Sequence, residues 1–93
     1  IKDNEGKTPL IHAIISEDKE IVELLISKGA KLNIIDSEGK TPLIHAIISE
    51  DKEIVELLIS RGARIDLADS EGKTPLIHAI ISEDKEIVEL LKK

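Results

Sequence analysis

Gly39-Lys40-Thr41-Pro42-Leu43-Ile44-His45-Ala46-Ile47-Ile48-Ser49-Glu50-Asp51-Lys52-Glu53-Ile54-Val55-Glu56-Leu57-Leu58 is the stretch that decides the fold. The same residues run from Gly6 to Leu25 and again from Gly72 to Leu91, offset by 33 residues each time. A fixed period of that length marks a repeat array. Each unit is one supersecondary piece that cannot bury its apolar face alone, so stacked neighbours must share a core.

Within a unit the local signals agree. Thr8-Pro9 and its copies open a short helix, with the Thr hydroxyl as N-cap and Pro at the first helical position. Leu10, Ile11, Ala13 and Ile14 follow at helical spacing, and the helix should end near Ser16. Asp18 is placed to cap a second helix, with Glu20 near its positive end. Ile21, Val22, Leu24, Leu25 and Ile26 give that helix a broad apolar face, and Gly29 stops it in a left-handed conformation. Lys31 to Asp36 reads as extended, with Leu32 and Ile34 on one side. Asp3-Asn4-Glu5-Gly6, Asp36-Ser37-Glu38-Gly39 and Asp69-Ser70-Glu71-Gly72 read as β-turns. Helices this short are marginal in isolation, so stability must come from packing between units.

Turn, Thr-Pro-Leu helix, Glu-Ile-Val-x-Leu-Leu helix, Gly-Ala exit and 33-residue period together resemble the ankyrin repeat family, over the whole chain. The resemblance implies an all-α helical solenoid with a β-turn and two antiparallel helices per repeat. It further implies that turns and first helices line a concave, protein-binding surface. On this reading residues 1–93 are a single repeat domain: 1–7 a leading half-turn, 8–40 repeat 1, 41–73 repeat 2 and 74–93 a truncated repeat 3. Lys92 and Lys93 end the last helix with two cations, which suits its dipole.

Three departures from the family pattern stand out. Ile11, Ile44 and Ile77 occupy the position where the family places His, and His12, His45 and His78 come one residue later. Ile14, Ile47 and Ile80 replace the family's second Ala, enlarging the core. Glu17, Glu50 and Glu83 replace the Gly between the helices. Either the loop is reshaped there, or each Glu adopts a left-handed conformation at a cost of about 1–2 kcal/mol.

The apolar set is almost entirely Ile, Leu, Val and Ala, with no Phe, Trp, Tyr, Met or Cys, and Gln is also missing. So small an alphabet points to an idealised, designed or consensus-type sequence, with recent tandem duplication as the alternative. The net charge of −6 argues against a nucleic-acid partner. The absence of Cys removes disulfide and thiol chemistry. No apolar run is long enough for a membrane span, and no stretch has the form of a signal peptide. The composition suits a soluble protein, compatible with the cytoplasm or with recombinant expression. A start at Ile1 in place of Met points to excision, processing or trimming. As a stack of repeats the molecule is expected to be elongated.

No residue pattern calls for a metal, cofactor or reaction. His12, His45 and His78 fall one repeat apart, about 8–10 Å between packed helices, too far to share one ion. They read as structural. If their rings are partly buried and neutral, acid should destabilise the stack below their unfolded pKa. The acidic run Glu17-Asp18-Lys19-Glu20 reads as a helix cap and a solvated face rather than an acid–base pair. Phosphate loops, nucleophile–base arrangements and calcium loops are absent, so the chain is not expected to be an enzyme.

Candidate protein-binding residues follow from the resemblance. Ile15, Ile48 and Ile81 match a variable position on the concave face, next to Ser16, Ser49 and Ser82. The turn tips Asn4, Glu5, Lys7, Ser37, Glu38, Lys40, Ser70, Glu71 and Lys73 flank them. The three Ile can form an exposed docking ladder, or fold beneath the turns and complete the core; the aliphatic alphabet favours the second. Near-identity from unit to unit favours a scaffold without a natural ligand over a surface tuned to one target. The terminal units are near copies of the middle one and carry no distinct polar caps, so end-to-end self-association is also open.

Overall fold

A computed structural model describes residues 2–92. Ile1, read as the start of the leading half-turn, and Lys93, read as a closing cation, lie outside the described residues. Among the described residues six helices follow one another in three antiparallel pairs: α1 (Pro9–Ile15) with α2 (Lys19–Ser27), α3 (Pro42–Ile48) with α4 (Lys52–Ser60), and α5 (Pro75–Ile81) with α6 (Lys85–Leu91). First helices stack in one layer, α1 on α3 on α5, and second helices in another, α2 on α4 on α6.

The capping read from the sequence is present in every pair. Thr8, Thr41 and Thr74 accept through their hydroxyls from the backbone N–H of Ile11, Ile44 and Ile77. Asp18, Asp51 and Asp84 accept likewise from Ile21, Ile54 and Ile87. Gly29 and Gly62 take φ of 93° and 94° beyond α2 and α4. There Gly29 N–H donates to Ile26 and Ala30 N–H to Leu25, so the last carbonyls are satisfied.

The same closure ends each first helix, but with Glu in the Gly position. Glu17, Glu50 and Glu83 have φ of 60°, 58° and 59°. Glu50 N–H donates to Ile47 and Asp51 N–H to Ala46. The loop is therefore not reshaped, and each Glu bears the left-handed strain.

Leu43, Ile44, Ala46, Ile47, Ile54, Val55 and Leu58 of the middle pair are fully buried. With Leu10, Ala13, Ile14 and Val22 on one side and Ala79, Ile87 and Leu91 on the other, all of these except Ile44 form one aliphatic seam. Burying each large aliphatic side chain is worth about 1.5–3 kcal/mol, and part of that burial comes from the following pair: Leu76 and Ile77, which have none, are exposed where Leu43 and Ile44 are fully buried. Among the described residues no buried side-chain nitrogen or oxygen lacks a hydrogen-bond partner.

Elongation is not what the structure shows. The extents are 32 × 26 × 20 Å and the Cα radius of gyration is 12.0 Å. A compact chain of this length has a radius of gyration of about 12 Å. Three stacked pairs rise by about 10 Å each, which only matches the width of a single pair.

The turns also dock on one another. Gly6 N–H closes the first turn on Asp3, and Gly39 and Gly72 close the others on Asp36 and Asp69. Ser37 N–H donates to Glu5 across the pair boundary, and Ser70 N–H to Glu38. At Gly39, with φ of 77°, an added Cβ would lie 2.6 Å from Ser70 N. Gly72 has a similar φ of 81° but open space around it.

Two stability predictions follow from this backbone. Gly72→Ala should cost about 1–2 kcal/mol from left-handed strain alone. Gly39→Ala should cost at least about 1 kcal/mol more, because the neighbouring turn must also move. Equal losses in urea melts would show that the turns do not touch as described. Glu50→Gly should raise stability by about 1 kcal/mol, seen as a higher urea midpoint at unchanged slope. A loss of stability there would mean that the Glu side chain repays its strain.

Candidate protein-binding face

Each turn is tied to its first helix by a carboxylate used twice. Oδ1 of Asp36 accepts from the backbone N–H of Glu38 and Lys40, at 3.0 and 2.9 Å. Its Oδ2 lies 2.7 Å from Nε2 of His45, about one turn into α3. Asp69 repeats this with Glu71, Lys73 and His78, and Asp3 with Glu5, Lys7 and His12. Asp36 and Asp69 are buried, whereas Asp3 is exposed in the first turn.

The sign of the Asp shifts follows from this cage. Burial is the largest single influence on Asp36 and acts to raise its pKa. The His45 hydrogen bond, the two backbone N–H donors and the imidazole charge together outweigh it and hold the carboxyl below its ordinary value. Asp69 has the same opposition and comes down to about 2. An ionised carboxylate can only accept, so Nε2 of the facing ring carries the hydrogen. The His residues serve the fold, but through a polar clip that the sequence reading did not assign. Its signal was available: an Asp nine residues before each His, in every unit.

The turn-tip candidates come together within their own turns. Lys7, Lys40 and Lys73 pair with Glu5, Glu38 and Glu71 at 2.7, 2.7 and 2.8 Å. Asn4, Ser37 and Ser70 are exposed beside these Glu residues. The Ile positions lie at the far end of the first helices, about 9 Å along the axis from the Pro that opens each one. Ser16, Ser49 and Ser82 are the C-caps that follow them.

Ile15, Ile48 and Ile81 do not fold beneath the turns. Ile48, in the fully flanked middle pair, is 45% exposed, and Ile15 and Ile81 are exposed as well. The expectation that they complete the core is corrected on this point. Every residue of α3 from Pro42 to Ile47 is buried, and Ile48, one turn beyond Ile44 at the C-terminal end of the helix, is not. The result is an apolar ladder with one rung per pair, edged by capping Ser residues and separated along the helices from the charged turn tips. Among the described residues no helix is long and apolar enough to cross a membrane.

A family model described as ankyrin repeats (3 copies) matches residues 1–69 and 29–93. No curated protein matches the chain.

The carboxylate cage sets an acid limit. The folded pKa of Asp36 and Asp69 lies below the ordinary value of 3.8, so their contribution is complete above it. It should fall away as the pH drops from about 4 towards about 2. Thermal melts over this range should show the loss. Asp36→Asn with Asp69→Asn should lower stability at neutral pH and flatten the acid slope. An unchanged slope in the double variant would remove these carboxylates from the account.

Proposed function

Because this chain belongs to the ankyrin repeat family, we propose that it is a non-catalytic scaffold whose first-helix face docks a protein segment. Ankyrin repeats are in general scaffolds for protein interaction. The observation that carries the reading is the exposure of Ile48, with Ile15 and Ile81 in register on either side. Residues 8–40 and 41–73 are taken as the two full units and 74–93 as the third, truncated one. Near-identity of the units supports an idealised sequence, whose face is regular and not tuned to one irregular target. Such a face suits a partner with the same regularity: apolar groups about 10 Å apart, as seven residues along a helix provide. The net charge of −6 favours a basic partner.

Panning a displayed peptide library against the chain tests this. Enriched peptides should carry apolar residues at that spacing. They should bind the Ile15→Ser, Ile48→Ser, Ile81→Ser variant at least tenfold more weakly. The same substitutions should change stability by no more than about 0.5 kcal/mol each, as exposed positions do. Peptides that bind parent and variant equally would refute the face as the docking site.

A further inference from the structure

The two ends of the stack differ, and each matches what covers the other inside the molecule. Ile80 is 57% exposed, whereas its copies Ile14 and Ile47 are fully buried. Leu76 and Ile77 are exposed too, although Leu43 and Ile44 are fully buried. At the opposite end Ile21 is 46% exposed, whereas Ile54 and Ile87 are fully buried. Leu24 is exposed beside it. The face that ends at Ile80 is covered by the following pair wherever one follows. The face that begins at Ile21 is covered by the preceding pair wherever one precedes.

Directional groups continue the same pattern. Glu5 and Glu38 carbonyls accept from Ser37 and Ser70 N–H across the boundaries; the next members of that series are the Glu71 carbonyl and Asn4 N–H. Lys19 pairs with Glu53 at 3.7 Å and Lys52 pairs with Glu86; the next members are Lys85 and Glu20. Apolar area, turn contact and charge therefore all point to one occupant.

We propose that the α5–α6 end of one copy of this 93-residue chain receives the α1–α2 end of a second copy, in the register of the internal boundaries. Asn4 N–H then meets the Glu71 carbonyl, Glu20 meets Lys85, and Ile21 and Ile80 are covered together. This contact is heterologous, so it leaves both outer ends free and propagates as an open chain. The apolar area is modest against the cost of association, which places the dissociation constant at about micromolar to millimolar.

Light scattering across a concentration series up to near-millimolar tests it. The parent mass should climb with concentration without levelling at a dimer. Ile80→Lys blocks one end and Ile21→Lys the other; each should remain a monomer. An equimolar mixture of the two should give a one-to-one dimer and stop there, because each partner still has one intact end. Both sites are exposed, and circular dichroism checks that both variants fold; Leu76→Lys and Leu24→Lys are the replacement pair if either does not. A monomeric parent at the highest concentration overturns the proposal. So does continued growth of the single variants, or a mixture that stays monomeric, since in neither case would the α5–α6 end be receiving the α1–α2 end.

Discussion

The stack rests on burial of one helix pair by the next. Ile47 has no solvent contact because a third pair follows it, and Ile80, the same residue in the same local sequence, is mostly in water because none does. At about 1.5–3 kcal/mol per buried aliphatic side chain, a single boundary outweighs every cap and ion pair in a unit. No pair can therefore be assigned a stability of its own, and cooperativity is a property of the boundaries.

Burial of this kind has no direction, so something else must fix how the pairs sit on one another. The Asp cage does part of this. By holding turn backbone with one oxygen and an imidazole with the other, Asp36 sets the angle between turn and α3. That angle brings Ser70 N–H to the Glu38 carbonyl. Gly39 lets the two turns approach, since the missing Cβ is where the neighbouring backbone lies. Left-handed strain at Glu17, Glu50 and Glu83 shows the opposite compromise: the loop keeps the geometry that Gly would favour, although Gly is absent.

Much of this was legible in the sequence. Period, N-caps, helix ends and turn positions follow from residues whose local chemistry allows few alternatives, such as Thr8-Pro9, Asp18 and Gly29. Exposure was not legible. Ile44, Ile47 and Ile48 are chemically one residue, and only what packs around each along the helix leaves the third of them exposed. The Asp–His clip was present as a spacing of nine, but it joins a turn to a helix, and helical or strand periodicity gives no reason to link them. Shape was misjudged because a solenoid becomes long only when its units outnumber its width.

The charged pairs complete the division of labour. Lys40 with Glu38 lies within one turn, whereas Lys19 with Glu53 and Lys52 with Glu86 cross between pairs. All of these are largely exposed on at least one side, and such pairs contribute at most about 1 kcal/mol. Their value lies in sign. A slip that set second helices out of register would bring Glu toward Glu on a chain already carrying a net charge of −6. Aliphatic contact supplies the free energy for stacking, turn hydrogen bonds set its distance, and the Lys–Glu crossings penalise the wrong alignments. A sequence with so few residue types can specify one arrangement because these three requirements are met by different atoms.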